Sequence, residues 1–356
     1  MPIDRFCQRI GSWLSGDGPE GDVVISSRAR VARNIAGHRF LTRASEQERR
    51  ELAAILRRAV EGAVSAQDKE YFDLEQMDPL DRQVLMERHL ISREHAEGEG
   101  ARGALVAFGE MLSIMVNEED HLRMQALQRG LAAEVAWEQI SHVDDAVEKD
   151  TPYAFDADYG YLTACPTNVG TGLRVSVMLH LPALTMTREL QRVFTAAAKI
   201  DFIVRGLYGE GTQAHGDFYQ VSNQKTLGRP EKEILDNLNT VIPQIVAYER
   251  RVRSALFKEH RRQVEDRVWR AWGILQNARM ISSEEALHLL SQLRLGFNLG
   301  LITGISTSLI NRLFIMTRPA HLQKLAGRAL EAQERDAFRA DYIRRCLAGE
   351  ETAVGE

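Results

Sequence analysis

Strand-like runs stop at Pro230. Before it, Asp22 to Ser26, Met111 to Val116, Leu173 to Leu181, Asp201 to Val204 and Phe218 to Ser222 are short β-branched or alternating runs. That is the pattern of antiparallel strands with one buried face. Helical stretches are predicted between them at Glu46 to Val64, Asp120 to about Glu148 and Glu189 to Ala198. After Pro230 helix follows helix, with Pro230 itself at a start, Ser282 and Glu285 spaced as a capping box, and Pro319 opening another helix. The expected class is α+β: an antiparallel sheet flanked by helices, then an all-α C-terminal domain. The boundary is placed near Ala255, giving units 1–255 and 256–356 with a long helix running through the junction. At 356 residues the chain is long enough for two such units.

The formal charge of −5 argues against a direct nucleic-acid binder, whose affinity comes largely from a net positive surface, so any basic site must be local. Cys7, Cys165 and Cys346 are far apart and make no pair-like spacing for zinc or a disulfide framework. A reducing, cytoplasmic setting is expected. The most hydrophobic stretch, Tyr161 to Leu184, is interrupted by Pro166, Asn168, Arg174 and His180, so no membrane span is expected.

The local basic site is spelled out by segments that each contain arginine. Arg28 and Arg30, two apart on a predicted strand, point to one face. Two guanidiniums side by side need an anion between them, either surface carboxylates or a polyphosphate that suits arginine's planar fork. Asn117-Glu-Glu-Asp-His-Leu-Arg123 crowds acidic residues where a strand is predicted to give way to a helix, and a helix's first turn favours them in any case. Cys165 precedes Pro-Thr-Asn-Val-Gly-Thr-Gly and a strand carrying Arg174. It is either a small buried hydrophobe or, with Thr163, Thr167 and the arginines nearby, a stabilised thiolate. Arg205-Gly-Leu-Tyr-Gly-Glu210, with Gly211 after it, has the composition of a closing lid, and Gln220-Val-Ser-Asn-Gln follows. Arg335-Asp-Ala-Phe-Arg339-Ala340 puts two arginines on one helical face with Asp336 three residues before Arg339, the spacing of an ordinary salt bridge on a solvated helix. Gly98-Glu-Gly-Ala-Arg-Gly103 satisfies G-x-G-x-x-G, but a dinucleotide site needs a strand before it and a helix after, so it reads as a turn.

In order and spacing the first four arginine segments are similar to the signature segments of the guanidino kinases, the ATP:guanido phosphotransferases. With the C-terminal segment, the whole chain resembles the bacterial protein-arginine kinases of that family. The resemblance implies an ATP site built from Ser26, Ser27, Arg28, Ala29, Arg30, His89, Arg123, Arg174, Val175, Ser176, Val177, Met178, Arg205, Gly206, Leu207, Tyr208, Gly209 and Glu210. Mg²⁺ would arrive on the nucleotide, with no protein ligands of its own. It also implies that Glu119 and Glu210 grip the acceptor guanidinium and take its proton, with Cys165 beside it, and that Arg335, Asp336, Ala337, Phe338, Arg339 and Ala340 bind phosphoarginine and regulate the kinase.

Only 25 residues precede Ser26, where creatine and arginine kinases carry a helical domain that helps enclose a small substrate. An open site for an arginine on a protein surface is therefore expected. The partners implied are proteins with accessible arginines, the heat-shock repressor CtsR among them, a McsA-type activator, a ClpC-type unfoldase that delivers marked proteins to Clp protease, and a second copy of the chain. A kinase of free arginine and a phosphoarginine-recognising adaptor are the alternatives.

Overall fold

The computed structural model describes residues 2–206 and 215–350. Ten strands are present among them: β1 (Val24–Arg33), β2 (Glu70–Asp73), β3 (Gly103–Ala107), β4 (Leu112–Val116), β5 (Leu122–Arg129), β6 (Phe155–Asp156), β7 (Gly160–Tyr161), β8 (Leu173–His180), β9 (Phe202–Gly206) and β10 (Phe218–Asn223). Eight form one antiparallel sheet in the order β2, β3, β4, β5, β1, β8, β10, β9, and β6 pairs with β7 as a small hairpin. The helices are α1 (Glu46–Ala63), α2 (Pro79–Glu87), α3 (Arg93–Glu97), α4 (Ala133–Asp150), α5 (Pro182–Met186), α6 (Leu190–Ala198), α7 (Glu231–Glu259), α8 (Arg261–Asn277), α9 (Ser283–Asn298), α10 (Thr307–Met316), α11 (Pro319–Ala326) and α12 (Ala332–Leu347).

Period-two alternation divides the sheet into two faces. Ala29 and Val31 of β1, Leu122, Met124 and Ala126 of β5, and Leu173, Val175, Val177 and Leu179 of β8 bury against α1, α4 and α7 in one core. Helix α1 supplies Leu52, Leu56 and Val60 from one face and begins at a capping box between Ser45 and Glu48. On the other face, Ile25, Ala104, Val106, Met115, Leu127 and Phe218 share a second core with the N-terminal segment and helices of the C-terminal region. The part of this face that remains open carries the arginines.

The N-terminal segment and the C-terminal helices are keyed together by buried polar contacts. Arg294 donates to Asn311 Oδ1 at 2.7 Å and to the Gly21 carbonyl at 2.7 Å, and Asn311 donates to the Leu14 carbonyl at 2.9 Å. Ser282 caps α9 by accepting from the Glu285 N–H, the forward arm of the expected capping box.

Two expectations are corrected. The helix predicted from Asp120 to Glu148 is a strand, β5, followed by α4. Leu, Met, Gln, Ala and Arg are good helix formers, but β5 hydrogen-bonds to β4 on one side and β1 on the other, and that pairing overrides propensity. The strand expected at Asp22 to Ser26 runs on to Arg33, because its second half alternates buried Ala and Val with arginines on the open face.

Candidate active site

The cross-strand register brings the arginines together. Arg30 lies opposite Arg174 on one side and Gln125 on the other, Ala32 lies opposite Arg123, and Arg205 of β9 lies opposite Gln220 of β10. Arg28 donates to Gln220 Oε1 at 2.7 Å and Ser176 Oγ at 3.3 Å, and Arg174 reaches Ser222 Oγ at 3.5 Å. None of these partners is anionic. Burial, followed by the neighbouring charges of Arg123 and Arg174, lowers Arg28 to about 10. The same two causes, with Arg28 among the neighbours, put Arg30 well below its ordinary value. Arg174 is lowered by burial and by Arg205 and Arg123. Arg123 differs: burial disfavours its charge, but Glu118 accepts from its Nη1 at 2.7 and 2.9 Å and raises it overall. A cluster of cations whose charge is disfavoured in this way is chemically suited to a polyanion.

Not every residue of the expected nucleotide segments faces this site. Ser26, Ser176 and Met178 line it. Ser27, Ala29, Val175 and Val177 are on the opposite face. Ser27 donates to the Gly130 carbonyl and accepts from the Ala132 N–H ahead of α4, and the other three sit in the core. Strand alternation requires this of any segment with Arg28, Arg30 and Arg174 on the open side.

Two cavities that share Arg28 and His89 follow the arginine face. One, of about 290 Å³, is lined by Arg28, Arg30, His89, Ser92, Arg123 and Gln125 among others. The other, of about 180 Å³, adds the apolar walls of Trp13, Leu127 and Met178. His89 adopts a left-handed backbone (φ 60°) just after α2, and its carbonyl accepts from Gln125 Nε2 at 2.7 Å. Burial, then Arg28 and Arg318, holds its imidazole down at about 3, so it is neutral at working pH.

Asn117 to His121 form the turn of the β4–β5 hairpin, not the first turn of a helix. Asn117 has φ 58°, and its N–H donates to the His121 carbonyl at 2.9 Å. The turn separates the acidic residues. Glu118 turns inward to Arg123 and accepts from Ser92 Oγ at 2.6 Å. Glu119 points out and is exposed, with its carboxyl raised by desolvation and then by Asp120 and Glu118. Asp120 is buried and accepts from Asn34 Nδ2 and from the Ala164 N–H, both at 2.6 Å. One carboxylate thus ties the hairpin turn to the segment leading into Cys165. Sequence reading singled out neither Glu118 nor Asp120, and their only signal was adjacency to Glu119.

Cys165 is half-buried, with its Sγ 3.0 Å from Thr167 Oγ1. Its loop is closed by Thr226, whose hydroxyl donates to the Val169 carbonyl at 2.7 Å, and by Arg33, which pairs with Asp144 and donates to the Thr171 carbonyl at 2.9 Å. Gly172 (φ 65°) is required here: a Cβ would lie 2.5 Å from Arg33 Nη1 and 2.7 Å from the Ala32 carbonyl oxygen. Gly206 ends β9, while Leu207, Tyr208, Gly209 and Glu210 lie outside the described residues.

The C-terminal motif is on α12 but not on a solvated face. Arg339 is 1% exposed and donates to the Thr317 carbonyl at 2.9 Å, the Ile281 carbonyl at 2.7 Å and Asp336 Oδ1 at 2.6 Å. Arg335 donates to the Leu330 carbonyl at 2.6 Å. Phe338 packs on the second core, Ala340 is buried, and Ala337 is exposed. The ion pair anticipated between Asp336 and Arg339 exists, but it closes a buried network instead of decorating a surface.

The model of the ATP:guanido phosphotransferase C-terminal catalytic domain matches residues 51–252, and that of the protein-arginine kinase McsB C-terminal domain matches residues 261–354. The protein-arginine kinase of Desulforamulus reducens is 48% identical over 340 residues, covering 94% of this chain and 95% of that protein. That of Halothermothrix orenii is 46% identical over 344 residues, covering 96% and 97%. Among solved structures, the duplicated taurocyamine kinase of Schistosoma mansoni with bound transition-state-analogue components aligns with a TM-score of 0.60 at 26% identity, over 68% of this chain and 35% of that one. Lombricine kinase aligns at 0.59 and 26%, over 70% and 73%. On the length and identity of these matches, the chain belongs to the ATP:guanido phosphotransferase family, in its protein-arginine kinase branch.

Proposed function

We propose that this chain transfers the γ-phosphoryl group of ATP to arginine side chains of proteins. The observation that carries the reading is the convergence of Arg28, Arg30, Arg123 and Arg174 on one open sheet face, beside the hairpin bearing Glu119 and tied by Asp120 to the Cys165 segment. Phosphoryl transfer asks a protein to hold two reactants in line and to neutralise charge on the moving group. The arginine cluster, extended by Arg205, suits the triphosphate, and the smaller cavity with its apolar walls suits the base. Mg²⁺, carried by the nucleotide, would add further positive charge at the phosphates.

The acceptor guanidinium is protonated at neutral pH, with a pKa above about 12, and needs a base. Glu119 would orient the attacking nitrogen and take its proton. Its raised pKa makes it a better proton acceptor than an ordinary glutamate. Cys165 would lie beside the guanidinium, and Glu210, outside the described residues, would supply the opposite grip. Residues 1–255 would act as the catalytic unit and 256–356 as the regulatory and dimerising one.

Protein arginine as acceptor is supported by the relatives' activity and is testable directly. Incubation with ATP and casein, followed by mass spectrometry under mildly neutral conditions, should detect phosphoarginine, while ATP with free arginine should turn over far more slowly. The reverse ratio would make the chain a kinase of a small guanidine. CtsR, a McsA-type activator, a ClpC-type unfoldase and a second copy of the chain are the partners this reading brings with it, in the cytoplasm. No helix among the described residues is long and apolar enough to cross a membrane.

On the same reading, the motif from Arg335 to Ala340 binds phosphoarginine, with Asp336 as guanidinium partner. Because Asp336 also neutralises buried Arg339, Asp336→Ala should abolish saturable phosphoarginine binding in calorimetry and also destabilise the fold by about 1–3 kcal/mol. This exceeds the roughly 0.5 kcal/mol expected for a solvated helix position. Urea unfolding with unchanged stability would return Asp336 to a surface role.

A further inference from the structure

The larger arginine-lined cavity has one wall from far along the chain. Arg318, the residue immediately before α11, lines the same space of about 290 Å³ as Arg28, Arg30, His89 and Arg123. We infer that Arg318 is an additional nucleotide-binding residue, contributed by the C-terminal helical region, whose guanidinium bears on the anionic part of the bound nucleotide. This rests on the cavity being the nucleotide site, as proposed above.

Three observations place it there. Position comes first. Glu87, two residues before His89, accepts from the Ala320 N–H at 2.9 Å, the His321 N–H at 3.2 Å and His321 Nδ1 at 2.7 Å. The carboxylate of α2 therefore grips the first turn of α11, the helix that starts immediately after Arg318, and the two flanks of the cavity are held as one unit. The next residue along, Arg88, reinforces the grip through Glu110 and the carbonyls of Phe6 and Arg9, and its Nη1 lies 3.4 Å from His321 Nε2.

Charge is the second observation. Arg318 is near enough to His89 to help hold that imidazole neutral, so its field acts inside the cavity and not only at the protein surface. The cavity wall is then strongly cationic, with Glu118 already taken by Arg123, and Glu87 by α11. Arg318 stands on that wall with Arg28, Arg30 and Arg123, and a polyanionic ligand in the cavity would be attracted by all four.

Continuity is the third. The carbonyl of the preceding residue, Thr317, is the acceptor of Arg339 Nε at 2.9 Å. The α12 network and the nucleotide cavity therefore meet at adjacent residues, Thr317 and Arg318.

The test uses the full-length protein and calorimetric titration with ATP, ADP and adenosine. Arg318→Ala should weaken ATP and ADP by about tenfold or more, as loss of a charge-assisted hydrogen bond does. Adenosine, lacking phosphates, should bind the variant as it binds wild type, and Arg318→Lys should recover part of the loss. Equal ATP affinity in wild type and Arg318→Ala, with wild type binding ATP normally, would overturn the assignment of Arg318 alone. A wild type that bound no ATP would overturn the nucleotide site itself. Equal loss for ATP and adenosine would make Arg318 a structural residue of the cavity wall and likewise defeat the proposal. Thermal unfolding of each variant without nucleotide separates this from failure to fold.

Discussion

Glu119→Gln is expected to lower kcat on a protein substrate by about 10²–10⁴ while leaving ATP affinity unchanged, the signature of losing a general base rather than a phosphate contact. Geometry supports the split. Glu119 projects from the β4–β5 turn with no ion-pair partner among the described residues, while its neighbour Glu118 is committed to Arg123 and Asp120 to Asn34 and Ala164. A pH profile gives a second reading of the same residue. Desolvation, then Asp120 and Glu118, raises the Glu119 carboxyl. The base form is thus present above that raised value and is lost as pH falls through it. The acid limb of kcat/KM should lie above the ordinary glutamate range in wild type and disappear in the Gln variant. An unaltered limb, or near wild-type turnover, would assign the proton to another group. Cys165→Ala should also retain ATP, since the Cys165 side chain hydrogen-bonds to Thr167 and its influence on Arg174 is the smallest of those acting on that guanidinium.

The parts of this site legible in the sequence are those written as contiguous segments. Arg28 and Arg30 had to share a face once they lay on a strand, and the run from Cys165 to Arg174 could be read as one segment, although the close approach of Gly172 to Arg33 and Ala32 could not. What remained hidden depends on pairing between distant segments. Nothing local to Leu122–Arg129 says strand, because its residues favour helix and only β1 and β4 on either side decide the matter. Because that segment was expected to be helical, Asn117 to His121 read as a helix start and the roles of Glu118 and Asp120 were invisible. Arg339 misled in the opposite direction. An i,i+3 pair looks the same on a solvated helix as in a buried network, and only the carbonyls of Thr317 and Ile281 distinguish them. Arg318 carried no signal at all, since its relevance comes from Glu87 gripping α11.

Arg30→Met should have two opposite consequences. The charged form of Arg30 is disfavoured in the folded protein, first by burial and then by Arg28, Arg123 and Arg174, and its Nε is buried without a hydrogen-bond partner. In the unfolded chain water solvates the same guanidinium, so at neutral pH folding works against this charge. An apolar side chain of similar length removes that cost, and stability without nucleotide should rise by about 1 kcal/mol or more in urea unfolding. Activity should move the other way. A preorganised donor aimed at phosphate charge is worth about 10²–10³ in rate, and ATP should no longer raise the melting temperature as it does for wild type. Such a trade of stability against function is expected where like charges are assembled for a polyanionic ligand. If Arg30 instead served the fold, Met would destabilise the protein, and the increase of Tm with ATP would persist.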